Sequence, residues 1–288
     1  MGIVRTGQAM SARRMPASAV ALARPIHPAA WMIWSACAGT AAFTTTNPLY
    51  LATIVAACWF VYTARRNPGP TSRSFRFFLI TGAMAMLVRT MLVAFGAVTW
   101  GNVVYSCLEG MRLATLLVVF GTFNSVTDPF GVVRLAPRRF HEPALAAALA
   151  LSIAPRTMAM LGRVREAQRL RGIHIAQWRS LPALAVPVLA TAMEEALSLA
   201  ESMDSRGHGG RTRSRYRPQP WTAPAFTLAA AACVCAATFA IAAFGGPGQA
   251  GLEPSTFPLM LPSADVGLVL AIGLLAVPGF GAGRSAQP

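Results

Sequence analysis

The sequence predicts an all-α polytopic membrane protein, with about six transmembrane helices and a helical domain on the cytoplasmic side. Three observations carry this. Of 288 residues, 55% belong to the hydrophobic set and only 12% are charged, half the roughly 25% charged residues of a soluble domain. Mean hydropathy is +0.50. The 25 basic residues, all arginine, stand against ten carboxylates for a net charge of +15, and they fall between long apolar runs. A pI near 11.4 would suit nucleic acid if the arginines covered a soluble surface; alternating with apolar runs, they mark the flanks of membrane spans. With no lysine anywhere in the chain, phosphate-loop, Schiff-base and lysine-linked pyridoxal chemistries are excluded.

Residues 1–28 carry Arg5, Arg13, Arg14 and Arg24 and no acid. Their apolar part, 17–23, is short and ends in Arg24-Pro25, unlike a cleavable signal, so the segment reads as a basic cytoplasmic tail. A span needs about 20 mostly apolar residues. Runs at 29–46 and 48–64, joined by an Asn47-Pro48 turn, give two marginal spans. A third is expected over 77–98, interrupted by Arg89, and a fourth over 107–125, where Ser106 and Glu109 have capping-box spacing. Runs at 223–244 and 264–280 make a fifth and a sixth. The domains expected are thus 1–28, a tail; 29–125, helices one to four; 126–220, a cytoplasmic domain; and 221–288, helices five and six.

Orientation follows from the arginines, which accumulate in cytoplasmic loops. The tail holds four, the loop 65–76 four, and the stretch 134–217 fourteen, whereas 99–106 and 246–263 hold none. Six alternating spans with both termini cytoplasmic put every basic segment on one side. The stretch 134–217 sets its fourteen arginines against six carboxylates, a net charge of +8.

Two amphipathic helices are legible there. Met160, Val164 and Ala167 lie on one face, followed by Arg171; Leu189, Met193, Ala196, Ala200 and Met203 form a second, followed by Arg206. Glu194, Ser198, Glu201 and Ser205 line the opposite side, and Pro155 and Pro187 are expected to kink or begin the helices. The first helix ends Leu170-Arg171-Gly172 and the second Ser205-Arg206-Gly207. Glycine just past a helix is the common left-handed C-cap, and arginine in the last turn suits the helix dipole. Two capped helices need nothing more than that; a functional reading gains from the duplication, one arginine at each tip.

Arg89 stands within a span, where a charge is costly and faces the bundle interior; its counter-charge is expected from Glu109 or from another subunit. Glu109 and Arg112, three apart on one helix, can also satisfy each other. Cys37, Cys58, Cys107, Cys233 and Cys235 read as packed or lipid-facing thiols, and the four histidines show no ligand spacing. No metal site is expected.

At the two helix ends the chain resembles the transmembrane (T) subunit of energy-coupling factor (ECF) transporters, the EcfT/CbiQ family, whose two cytoplasmic coupling helices end in Ala-Arg-Gly-like triplets. Further matches are His27-Pro28, Asn47-Pro48-Leu49, Leu108-Glu109-Gly110-Met111-Arg112-Leu113 and Val186-Pro187-Val188-Leu189, covering about 27–220 in order. Leu170 and Ser205 stand where the family often has alanine. The resemblance implies a non-catalytic scaffold in a bacterial cell membrane that joins two ABC-type ATPase subunits to a substrate-capture (S) membrane subunit for a vitamin or a transition-metal ion. It implies that Leu170, Arg171 and Gly172, with Ser205, Arg206 and Gly207, dock on those ATPases, which bind the ATP; no cofactor is expected in this chain.

The alternative from the residues is a membrane enzyme gripping an anionic lipid or phosphorylated substrate at the cytoplasmic face. It would need paired carboxylates near the arginines, and Glu194-Glu195 is all that the sequence provides. The run 211–217, with four arginines, suits anionic lipid electrostatically and equally a positive flank before the fifth span. Membrane lipids are expected partners and nucleic acid is not.

Overall fold

In a bilayer the backbone must satisfy its own hydrogen bonds, and the helix does this within one segment. The computed structural model describes residues 26–65, 72–95, 99–171, 181–207, 220–253 and 263–280, and among them no strand occurs. Its helices are α1 (Pro28–Thr44), α2 (Pro48–Arg65), α3 (Ser72–Met91), α4 (Trp100–Val126), α5 (Pro129–Val133), α6 (His141–Leu170), α7 (Leu181–Ser205), α8 (Ala223–Ala243), α9 (Gln249–Leu252), α10 (Val266–Leu275) and α11 (Val277–Phe280). The chain divides into two compact units, Met1–Thr127 with Trp221–Pro288, and Asp128–Pro220. Most of the basic tail, the run 211–217 and Gly172 lie outside the described residues.

Five helices are long and apolar enough to cross a membrane: α2, α3 from Ser74, α4, α6 from Glu142, and α8. The expected first span is α1, at 17 residues about 26 Å long. The expected sixth is broken at Ala276 into α10 and α11. The third ends earlier than expected: α3 stops at Met91 and a 3-10 turn runs over Leu92–Phe95. Arg89 therefore sits in the last turn of its helix and not mid-span. The fourth starts earlier, at Trp100 behind Thr99. Ser106 is then buried inside α4, so the spacing of Ser106 and Glu109 caps nothing.

In the first unit, α3 and α4 form an antiparallel pair held close by glycines. A Cβ on Gly110 would lie 2.9 Å from the Met86 Cα, one on Gly82 3.2 Å from the Ala114 Cα, and one on Gly121 2.7 Å from the Phe78 Cβ. Small residues of this kind let backbones approach where lipid removes the hydrophobic drive for association. The hydroxyls of Thr115 and Thr122, buried on α4, donate to the carbonyls of Met111 and Val118 one turn back. These two hydroxyls thus need no partner from lipid.

α1 and α8 run parallel and level. His27, which caps α1 by accepting from the Ala29 amide at 3.2 Å, stacks on Trp221 just before α8 at 4.9 Å between ring centroids. Near the middle of both helices Cys37 faces Cys233 with their Sγ atoms 4.0 Å apart. Parallel helices require an odd number of crossings between them, which α2, α3 and α4 provide.

At the far ends of α1 and α2 sits a buried polar clasp. The Asn47 side-chain amide donates to the carbonyls of Gly251 at 2.7 Å and Ser263 at 2.9 Å, and its Oδ1 accepts from the Leu49 amide. Thr45 donates its hydroxyl to the Leu252 carbonyl at 2.8 Å, which also accepts from the Thr46 amide. The Tyr50 hydroxyl accepts from the Asp265 amide at 2.6 Å. Lower in the same unit Trp34 donates to the Leu275 carbonyl and Arg65 to that of Pro278, so the broken final helix is bound at three levels.

Two predictions follow from this packing. With Cys58, Cys107 and Cys235 replaced by alanine, a short thiol cross-linker joins Cys37 to Cys233 within one chain, detected by peptide mass; no cross-link would form if α8 did not pack against α1. Replacing Asn47 by leucine leaves two buried carbonyls unpaired at about 1–3 kcal/mol each, so Asn47→Leu lowers the thermal unfolding midpoint in detergent far more than substitution of exposed Phe120.

Candidate functional site

The second unit, Asp128–Pro220, contains the two long helices on which the expected site residues lie. Pro155 and Pro187 stand inside α6 and α7 without ending them. The two helices pack against each other within this unit. On α6 the covered face runs through Ile153, Thr157, Met160, Val164 and Gln168, with Met160 buried. Met160 and Val164 are where the apolar pattern put them, but Ala167 is exposed and Gln168 takes the covered place. The Gln168 Oε1 is buried without a hydrogen-bond partner.

On α7 the face expected to be covered is not the one that packs. Val188, Ala192, Leu199 and Met203 are half-buried, whereas Leu189, Met193, Ala196 and Ala200 are exposed. The reason is the width of the apolar sector: it also includes Val186 and Leu197, and one neighbouring helix covers only an edge of it. Val186, Leu189, Met193 and Leu197 remain 62–67% exposed, in a line of three- and four-residue steps. This bare stripe was not foreseen. Its signal in the sequence was the excess of apolar residues over a single helix contact, Val186-Pro187-Val188-Leu189 and Leu197-Ser198-Leu199. Glu194, Ser198, Glu201 and Ser205 are exposed as well.

Each helix tip is built by local hydrogen bonds. α6 closes at Leu170, which is 87% exposed, and the Arg171 amide donates back to the carbonyls of Ala167 and Gln168. α7 closes at Ser205, whose hydroxyl donates to the Ser202 carbonyl. The Arg206 and Gly207 amides then donate to Met203 and Asp204 carbonyls, at 3.2 and 2.8 Å. Gly207 has φ +75°, the left-handed conformation that favours glycine. Arg171 and Arg206 are both exposed, and neither forms an ion pair among the described residues. Each presents a planar, always-charged guanidinium suited to bidentate bonding with a carboxylate.

The membrane charges separate into two groups. Arg112 Nη1 lies 3.2 Å from Glu109 Oε1, with both side chains about one-fifth exposed. The Arg112 guanidinium also sits 4.2 Å from the centre of the Phe43 ring on α1, a cation–π contact. Arg89 is not brought to Glu109 and has no ion pair among the described residues; it lines an apolar groove of about 550 Å³ beside Leu113 of α4. No three His, Cys, Asp or Glu side chains lie together as a metal site among the described residues.

This architecture is that of a multi-pass helical membrane protein, and its relatives place it in transport. The chain belongs to the family of cobalt transport proteins named CbiQ, whose family model matches residues 20–217. It is similar to the energy-coupling factor transporter transmembrane protein EcfT of Streptococcus equi subsp. equi, 30% identical over 119 residues, 38% of this chain and 44% of that protein. The EcfT of Heliobacterium modesticaldum is 28% identical over 139 residues, 42% of this chain and 52% of the relative. An uncharacterized protein of Mycoplasma genitalium is 29% identical over 163 residues, 51% and 37% of the two chains. The chain thus spans between about two-fifths and half of the length of these curated relatives.

The tip of α7 generates its own prediction. A Cβ at Gly207 would meet nothing within 4 Å, so alanine there costs only the left-handed backbone penalty, about 1–2 kcal/mol. Gly207→Ala speeds hydrogen exchange in the last turn of α7, Gly207→Asn does so less, and exchange in α4 is unchanged in both.

Proposed function

We propose that this chain is the transmembrane scaffold subunit of an ECF-type ABC importer, transmitting ATP hydrolysis by two separate ATPase subunits to a substrate-capture membrane subunit. The observation that carries the reading is the pair of exposed, unpaired guanidiniums, Arg171 and Arg206, at the ends of two helices of one unit. Each would meet a carboxylate in a groove of one ATPase, with Leu170 beside Arg171, Ser205 beside Arg206, and Gly207 turning the chain away after α7. The bare apolar stripe of α7 supports a second contact, with the capture subunit. Membership of the family and similarity to two EcfT proteins support the same assignment. In this reading the chain is non-catalytic, ATP is bound by its partners, and the cargo is a vitamin or transition-metal ion chosen by the capture subunit. It lies in the cell membrane with both termini and the second unit on the cytoplasmic side, as the arginine distribution favours.

Breaking one partner of a desolvated charge pair costs about 2–5 kcal/mol, mostly through the charge left unpaired. The double variant Arg171→Glu with Arg206→Glu is therefore expected to insert normally and to lose ATPase copurification and cargo uptake, with each single variant keeping part of both. Because these side chains are exposed and cap only a last turn, the helices keep their stability to within about 0.3–1 kcal/mol. Full uptake by the inserted double variant would reduce both arginines to helix caps.

A further inference from the structure

We propose that the groove beside α3 is a binding site for one anionic glycerophospholipid, with its phosphate on Arg89 and an acyl chain lying along Ile80, Met84, Ala85 and Val88. The groove is shallow and open along the side of the helix pair, with a volume of about 550 Å³. Its lining is apolar apart from Thr81 and Arg89, the arginine being the one charged group and lying toward the Leu92 end. Ile80, Met84, Val88 and Leu92 follow one another at four-residue steps, and all are more than half exposed.

Depth decides what sort of molecule fits. α3 starts at Ser72, among the arginines at 65, 66, 73 and 76, and Arg89 lies about 20 Å beyond the last of these along the axis at 1.5 Å per residue. Against a hydrocarbon core of about 30 Å, that brings the guanidinium within snorkelling reach of the opposite headgroup layer. The apolar steps Val88, Met84 and Ile80 then descend from it toward the midplane. Charge at the interface and apolar surface beneath it is the polarity of a phospholipid standing in its own leaflet.

Charge balance points the same way. Glu109 is already held by Arg112, and residues 90–108 carry no carboxylate. Arg89 has no ion pair among the described residues. A phosphate diester provides the missing anion with two acceptor oxygens, matching the bidentate donor set of arginine. This assignment is independent of the roles proposed for Arg171 and Arg206.

The test is native mass spectrometry of the full chain in mild detergent, titrated with phosphatidylglycerol or phosphatidylcholine, with helix content and monodispersity checked for each variant. The first phosphatidylglycerol is expected to bind about tenfold more weakly to Arg89→Gln, in line with loss of one charged hydrogen bond. Arg89→Lys should recover part of the loss. Ala85→Phe, which fills the groove and keeps the guanidinium, should weaken binding too, and phosphatidylcholine should bind less tightly than phosphatidylglycerol to the unaltered chain. Equal first affinities for unaltered chain, Arg89→Gln and Ala85→Phe would mean unselective annular lipid and overturn the proposal. So would unchanged lipid binding with loss of a copurifying membrane protein, which would make the occupant a partner's carboxylate. If Arg89→Gln fails to fold, Arg89→Lys and Ala85→Phe decide the matter on the same readout.

Discussion

The amide of Asn47 closes the first unit. A turn between two membrane helices, and a loop between two others, leave backbone carbonyls that no helix can use, and hydrocarbon offers them nothing. Asn47 brings one donor group to two such carbonyls, at Gly251 and Ser263, while its own oxygen holds the start of α2 through Leu49. Thr45 and Tyr50 repeat the device on either side. Because these bonds join residues some two hundred positions apart, they fix which helices are neighbours. The level stacking of His27 on Trp221 at the opposite end, and the approach of Cys37 to Cys233 between, are consequences of α1 and α8 being held in parallel along their lengths.

The two units differ in how they use apolar residues. In the first, tryptophan, tyrosine and phenylalanine side chains such as Trp34, Tyr50 and Phe239 are fully buried, and glycines set the α3–α4 distance to backbone contact. In the second, Met160 is the buried hydrophobic residue on α6, and long apolar side chains on α7 stay bare. A helix pair that leaves a stripe of Val186, Leu189, Met193 and Leu197 uncovered has surface to offer a partner. Among the described residues, the second unit leaves both its apolar stripe and its charged tips without partners.

The sequence was legible where one physical rule acts alone. Long apolar runs gave the membrane helices, and the triplets Leu170-Arg171-Gly172 and Ser205-Arg206-Gly207, with Asn47-Pro48-Leu49, pointed to the family that the CbiQ match establishes. It was less legible where neighbours arbitrate. The start of α4 lay hidden because Trp100–Ser106 is mixed in polarity, and the Ser106–Glu109 spacing imitated a cap. Arg89 looked like a mid-span charge because residues 92–98 continue the apolar run past the point where the helix ends. On α7 the apolar sector is wider than one helix can cover, so periodicity alone could not say which edge would pack. The pairing of Glu109 had two readings in the sequence, and geometry selected the one within its own helix, to Arg112.

A chain with no lysine asks one cation to serve every electrostatic purpose, and the surroundings decide which. Arg112 has a carboxylate and an aromatic face supplied by the chain, so its charge is settled internally and it ties α4 to α1. Arg65 spends its Nε–H on the Pro278 carbonyl and pins the last helix. Arg89, Arg171 and Arg206 have the same guanidinium but no carboxylate from the described chain. An ammonium in their place would be a compact, strongly hydrated point charge; the weakly hydrated, planar guanidinium can leave water and bond through two donors at once. Arg112 and Arg65, engaged within the chain, hold the scaffold together. In the functions proposed for them, Arg89 meets a lipid phosphate at the membrane face of α3, and Arg171 and Arg206 meet partner carboxylates at the tips of α6 and α7.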